Sequence, residues 1–275
     1  MRTIQNHFTS SLARRFVPVA RGTWRPAFAA ITLSVVVTAP AMADQYRDCV
    51  ALAAQNPDAA YDFSLQWEST DTTGGALHCG GIALMGLRLF DAAAERFERA
   101  ASLATKVEDS ERAVLYRQAG DAWLATSNST KALEAFTAGL RYLPKDPALL
   151  FGRARAHDLA EAPAAGLEDV NMALGVAPER VDFLVLRARF YRQLGSYDLA
   201  LADITTALAA GADAIPIQLE RGMVRYEQGD LTAARSDWQA VIERDRRPNG
   251  EPGAAAAAAA RFIAEIEKES ATTQP

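Results

Sequence analysis

The sequence lacks the signatures of the common enzyme classes. It contains no G-x-S-x-G, H-E-x-x-H, Walker-loop or G-x-G-x-x-G motif. No lysine has a serine three residues before it, which excludes S-x-x-K acyl chemistry. Of the three histidines, His7 lies near the N-terminus, and His78 and His157 fall within predicted helices. We therefore predict a protein that is not an enzyme and needs no cofactor; a hydrolase without a recognisable motif is the alternative.

Aromatic residues are few, and acidic residues outnumber basic ones after residue 43. Aromatic residues make up 8% of the chain, which leaves little material for a thick β-sandwich core. Residues 1–43 hold five arginines and no acidic residue, whereas residues 44–275 hold 24 basic and 34 acidic residues, a net charge of −10. Because phosphate binding needs a basic surface, nucleic acid is excluded as a partner of this acidic part.

The first 43 residues have the order of a secretory signal peptide. A basic stretch ends at Arg25, an apolar stretch runs over 27–39, and the triplet 41–43 reads Ala-Met-Ala. This order predicts cleavage before Asp44, a periplasmic or secreted protein, and no permanent membrane span. A later translation start, a mitochondrial presequence and a twin-arginine route through Arg14 and Arg15 are the alternatives.

Only two cysteines are present, Cys49 and Cys79. An exported chain meets an oxidising compartment, so an even count favours a disulfide. A metal or redox site that includes His78 is the alternative. It would have only three candidate ligands and no C-x-x-C pair, and a closed zinc site needs four ligands.

A repeat of 34 residues organises most of the chain. Four stretches of matching residue type begin at Ala113, Pro147, Val181 and Ile215. A degenerate fifth copy precedes them from about Gly74, with extra residues around 107–112 before the next copy. Small residues recur at the same two places of the four regular copies: Gly120, Ala154, Ala188 and Gly222 in the first half, and Ala132, Gly166, Ala200 and Ala234 in the second.

This pattern resembles the tetratricopeptide repeat, as does the turn segment 193–200. The resemblance implies an all-α solenoid of stacked helix-turn-helix units over 74–248, with a peptide-binding groove lined by the first helix of each unit. Residues 44–73 are predicted to form an N-terminal helical cap. The alanine-rich segment within 249–275 is predicted to form a capping helix followed by a tail.

An arginine and an aspartate recur together in three units and are absent together from the fourth. Each aspartate lies sixteen residues after its arginine, and Ala119 and Ala135 hold the two places in the unit that starts at Ala113. Joint presence predicts a structural ion pair between the two helices of a unit, because losing one member alone leaves an unpaired charge. A bridge to the neighbouring unit is the alternative. The pairs are Arg153–Asp169, Arg187–Asp203 and Arg221–Asp237.

Other side chains of the first helices are predicted to line the groove. Arg155 and Arg189 lie two residues beyond the paired arginines and so on a different face of each helix. Basic side chains among apolar ones suit an acidic or C-terminal peptide. Solvated surface arginines are the alternative. The predicted groove residues are Phe151, Arg155, Arg189, Arg192, Met223 and Tyr226, joined by Asp158, Val185, Gln193 and Leu219.

These features predict a non-catalytic adaptor or scaffold that binds a protein or peptide partner in the periplasm. A structural accessory subunit of a cell-envelope complex, held through its convex face or its ends, is the alternative.

Overall fold

A computed structural model describes residues 39–105, 107–211, 214–248 and 250–272. These ranges contain thirteen α-helices and no strand, apart from an isolated bridge between Arg246 and Pro252. The helices are α1 (Ala39–Gln55), α2 (Pro57–Glu68), α3 (Gly75–Gly86), α4 (Phe90–Leu103), α5 (Asp109–Ala125), α6 (Ser129–Leu140), α7 (Pro147–Leu159), α8 (Pro163–Val176), α9 (Val181–Gln193), α10 (Tyr197–Ala209), α11 (Ala214–Glu227), α12 (Leu231–Arg244) and α13 (Ala254–Thr272).

The helices stack as a solenoid of antiparallel pairs, which confirms the predicted fold class. Each helix packs against the next along the chain, and first helices α5, α7, α9 and α11 also contact one another in succession. Helices α1 and α2 form a pair before the predicted repeats. Helix α13 packs on α12 and α11 and buries Ala259 and Ile266 against Trp238. One buried cluster runs from Leu84 to Val224, as mutual burial between stacked units requires.

The turn inside each unit needs one residue in the left-handed region. Gly195 and Gly229 supply it after α9 and α11, with φ of 73° and 90°. The equivalent places after α3, α5 and α7 hold Arg88, Ser127 and Glu161, also with positive φ. The following amide then closes the helix end; Ser196 N donates to Tyr191 O at 2.7 Å, for example. The turn therefore keeps its geometry in the units that lack the glycine of the tetratricopeptide repeat pattern.

Large rings fill the space left by small residues on neighbouring helices. The Phe136 ring lies between Gly120 of its own unit and Gly152 of the next, and a Cβ on either glycine would lie within 2.6 Å of the ring. A Cβ on Gly166 would likewise clash with the Phe190 ring, and a Cβ on Gly222 would clash with the Trp238 ring. The small residues of the repeat pattern therefore set how closely the helices approach.

Gly152→Ala is expected to lower the free energy of unfolding by about 2 kcal/mol. Its Cβ would lie 2.2 Å from Phe136 Cε1, and overpacking of a close-packed core costs ~1–3 kcal/mol. Gly175→Ala in α8 is the control, because nothing lies within 4 Å of that Cβ. The control should gain ~0.5–1 kcal/mol from helix propensity alone. Urea unfolding of both variants measures the difference, and equal effects would contradict the packing argument.

The predicted signal peptide falls mostly outside the described residues. Helix α1 begins at Ala39, before the predicted cleavage point at Asp44, and residues 1–38 are not described. Across the described residues, no helix combines the length and apolar character that crossing a bilayer requires.

Candidate functional site

The structure brings together the three arginine–aspartate pairs of the repeat. Arg153 Nε and Nη2 donate to the two carboxylate oxygens of Asp169 at 2.8 and 2.6 Å. Arg187 contacts Asp203 in the same two-pronged way, at 2.7 Å for both bonds. These hydrogen bonds raise the pKa of both arginines. Each pair joins the first and second helix of one unit, as predicted for a bridge within the unit rather than to its neighbour.

The third pair and the unit without a pair show how the position varies. Arg221 shares the Asp237 carboxylate with Arg225, which donates at 2.7 Å. In the unit of α5 and α6, Ala119 and Ala135 are both buried. In this unit, Trp123 Nε1 donates a hydrogen bond to Glu98 of the preceding unit at 2.9 Å.

Cys49 and Cys79 form a disulfide that links α1 to α3, with their Cα atoms 6.1 Å apart. Both cysteines are fully buried beside Trp67 and Ala76. Among the described residues, no group of three or more His, Cys, Asp or Glu side chains is arranged to hold a metal ion.

A pocket of about 970 Å³ opens along the first helices of the central units, and we call it the groove pocket. Phe151, Arg155 and Arg189 line it, as do Asp158 and Val185. The Phe151 ring stacks on buried Phe183 with centroids 4.6 Å apart. The remaining lining residues are Leu124, Leu159, Glu179, Arg180, Val181, Asp182, Leu186, Ala210, Gly211, Pro216 and Ile217. The wall is largely apolar, as ligand pockets are.

The three arginines that were predicted to line the groove differ in how firmly they are held, and Arg192 does not line the groove pocket. Arg155 is 47% exposed and has one contact, from Nη1 to Asp121 Oδ1 at 3.4 Å. Arg189 lies between two acids, 2.8 Å from Asp158 and 3.5 Å from Glu220. Arg192 is only 13% exposed and contacts Glu220 at 2.7 Å as well as Glu227.

Arg189 and Arg192, both predicted to line the groove, are each paired with acidic side chains of this chain. Burial lowers the pKa of both arginines, but their acidic partners, led by Glu220, outweigh it, so each pKa is raised. Each charge is already compensated across the α9–α11 boundary. Of the arginines that line the pocket, Arg155 has the longest ion-pair contact, at 3.4 Å, whereas Arg180 pairs with Asp182 at 2.6 Å and Arg189 with Asp158 at 2.8 Å.

Met223 and Tyr226 do not line the groove pocket. Both are half-buried and pack on the C-terminal cluster that includes Trp238 and Phe262. The Tyr226 and Trp238 rings are 6.0 Å apart. Leu219 packs on the same cluster, because α13 covers this side of α11.

Two acidic residues that the repeat pattern does not single out form ion pairs with the predicted groove arginines. Glu220 is only 7% exposed and joins α11 to two arginines of α9. The equivalent positions in the two preceding units are Gly152 and Leu186. A carboxylate at a position that is apolar elsewhere is therefore the sequence feature that could have pointed to this residue. Asp121 lies between Arg117 and Arg155; burial raises the pKa of its carboxyl, and the two arginines oppose that rise.

Comparisons with known proteins support the fold. No protein-family model matches the sequence, and no curated protein matches it significantly. A tetratricopeptide repeat protein from Parabacteroides merdae superposes with a TM-score of 0.54 at 14% identity, over 78% of this chain and 82% of that one. MamA from Desulfovibrio magneticus RS-1 gives 0.54 at 19% identity, over 62% and 94%. YrrB, a TPR protein with an unusual peptide-binding site, gives 0.51 at 15%, over 65% and 89%.

Proposed function

Because the chain folds as a tetratricopeptide-repeat solenoid, we propose that it is a non-catalytic adaptor that binds a partner protein or peptide in the groove pocket. The observation that carries this proposal is the pocket itself, about 970 Å³ with apolar walls and the exposed Arg155 guanidinium at its side. The peptide-binding site of YrrB, a protein of the same fold, is consistent with it. Convergent polar groups around an apolar pocket are the usual form of a binding site.

The ligand we propose is an extended peptide with an apolar side chain and a carboxylate, either acidic or C-terminal. The apolar side chain would lie against Phe151 and Val185, and the carboxylate would accept from Arg155. Arg189 would act indirectly, by holding Asp158 and so the shape of the wall. The groove charges are largely compensated, so long-range attraction contributes little and affinity rests on these local contacts.

Arg155→Ala is expected to weaken peptide binding at least about tenfold, because a charge-assisted hydrogen bond contributes ~1.5–3 kcal/mol. The thermal stability of the variant should change little, since the ion pair of Arg155 with Asp121 is long and exposed. The measurement is fluorescence anisotropy with a panel of peptides ending in Leu or Phe, each as free carboxylate and as carboxamide. The carboxamides should bind wild type as weakly as the carboxylates bind the variant.

The matched control is Arg235→Ala in α12, which removes an arginine of similar exposure that contacts Glu267 at 3.2 Å. It should leave binding unchanged. If Arg155→Ala binds like wild type, the groove proposal is wrong. That result would favour the alternative function, in which the protein is an accessory subunit of an envelope complex and binds its partner through the convex face or the ends.

We also propose that the protein is exported and works in the periplasm or outside the cell, with Asp44 as its first mature residue. A buried disulfide supports this location, because such bonds persist in oxidising compartments.

A further inference from the structure

A second pocket lies at the N-terminal end of the solenoid, where α1, the start of α3 and the start of α5 meet. Its volume is about 370 Å³, within the ~300–1,000 Å³ range of small-molecule sites. Val107, Val114 and Leu115 form an apolar wall. We call it the N-terminal pocket; its remaining lining residues are Tyr46, Thr73, Gly74, Gly75, His78, Ala104 and Glu111.

The polar side of this pocket is built around Tyr46 and His78. Tyr46 Oη lies 2.9 Å from His78 Nδ1, and the two rings stack with centroids 5.7 Å apart. Burial lowers the pKa of His78, opposed in part by the Gln118 side chain, so the ring is neutral at neutral pH. Either tautomer of this neutral ring leaves at least one lone pair of Tyr46 Oη for a donor in the pocket, because the phenol oxygen has two lone pairs.

Glu111 adds a negative charge beside the phenol. It stands in the first turn of α5 and lines the pocket, and its carboxylate makes no hydrogen bond or ion pair with any residue that the structure describes. Tyr46 lines the same pocket, and its pKa is raised, by burial first and by the charge of Glu111 second. The pocket thus holds a carboxylate and a phenol oxygen on lining side chains.

Several donors of the described residues near this pocket are already used. The Ala76 and Gly75 amides at the start of α3 donate to Asp71 and Thr73. The Arg112 guanidinium donates to Ala104 O and to Tyr142, over whose ring it lies at 5.0 Å. These three groups are therefore not free to donate to a ligand, whereas Glu111 and Tyr46 Oη can accept.

We propose that the N-terminal pocket binds a small organic primary amine, whose ammonium group donates to Glu111 and Tyr46 Oη while its apolar body packs on Val107, Val114 and Leu115. This site is separate from the groove pocket and does not depend on the function proposed for it. Its acceptors select for positive charge, and its volume selects for a compact apolar body.

The test titrates the full chain with phenethylamine and with 3-phenylpropionate, a probe of similar shape and opposite charge. Binding is followed by the NMR signal of His78 Hε1, assigned with His78→Gln. Phenethylamine should shift this signal saturably and 3-phenylpropionate should not. Glu111→Gln should raise the Kd for phenethylamine at least about fivefold, because it removes an exposed charge-assisted contact.

Glu108→Gln is the matched control, because Glu108 is exposed, lies just before α5 and does not line the pocket. It should leave the Kd within about twofold, the range expected for a surface charge outside the site. Equal binding of the two probes, an unchanged Kd in Glu111→Gln, or the absence of a saturable shift in wild type would each overturn the proposal.

Discussion

Arg187→Ala is expected to lower the free energy of unfolding by about 3 kcal/mol, because it strands the Asp203 carboxylate in the core. The Asp203 side chain is only 10% exposed and accepts two bonds from Arg187. Asp203→Ala should cost less, since Arg187 is 23% exposed and keeps a second acceptor in Asn171 at 3.0 Å. The order of the two single losses follows from which charge is more deeply buried.

The double variant, with both residues changed to alanine, should be more stable than Arg187→Ala by at least about 1 kcal/mol. Urea unfolding of the four proteins measures this cycle. Arg47→Ala serves as the control, because it breaks an exposed pair with Asp44 and should change stability by less than ~0.5 kcal/mol. Losses at Arg187 and Asp203 that simply add would contradict the coupled ion pair.

Replacing both cysteines by alanine is expected to cost about 3.5 kcal/mol, the chain-entropy value for a closed loop of this length. The loss should concentrate in α1 and α2, because units of a solenoid contact only their neighbours. Hydrogen exchange by mass spectrometry measures this directly. Exchange should accelerate in α1 and α2 and change little in α9 and α10.

Each single variant, Cys49→Ala or Cys79→Ala, is the control and should lose nearly as much as the double, because either change removes the bond. Thiol labelling of the native, unreduced protein should find no free cysteine, and two reactive thiols would contradict the disulfide. The intact mass of protein from an exporting host tests the proposed start at Asp44. A mass that retains residues 1–43 would contradict the cleaved signal.

The arginines of the groove show how far the repeat pattern reaches. Equivalent places in the repeat put Arg155 and Arg189 on one face, and both are predicted from the sequence to line the groove. Arg189 contacts two acids from neighbouring units, so its removal is now expected to destabilise the chain. Arg155→Ala alone is the informative variant for binding.

The sequence by itself determined the helical units and their stacking. The distance of 34 residues between Ala154 and Ala188, or between Arg153 and Arg187, is a property of the covalent chain. This period predicts the packing of helices because each small residue contacts a large one in its own unit or the next. The sequence separation between the two is the same in every unit. The aspartate sixteen residues after its arginine was predictable for the same reason, since both members recur together.

The tertiary structure alone decided which charges of the groove are free and which cavities exist. Glu220 interrupts the repeat pattern, and it reaches Arg189 and Arg192 only because α9 and α11 stack side by side. The N-terminal pocket likewise depends on α1, α3 and α5 meeting at one end, which no spacing in the chain specifies. The period of the repeat shows which residues occupy equivalent positions. Whether a charge is compensated depends instead on its burial and on its distance from other side chains. Both are set only when the units pack together.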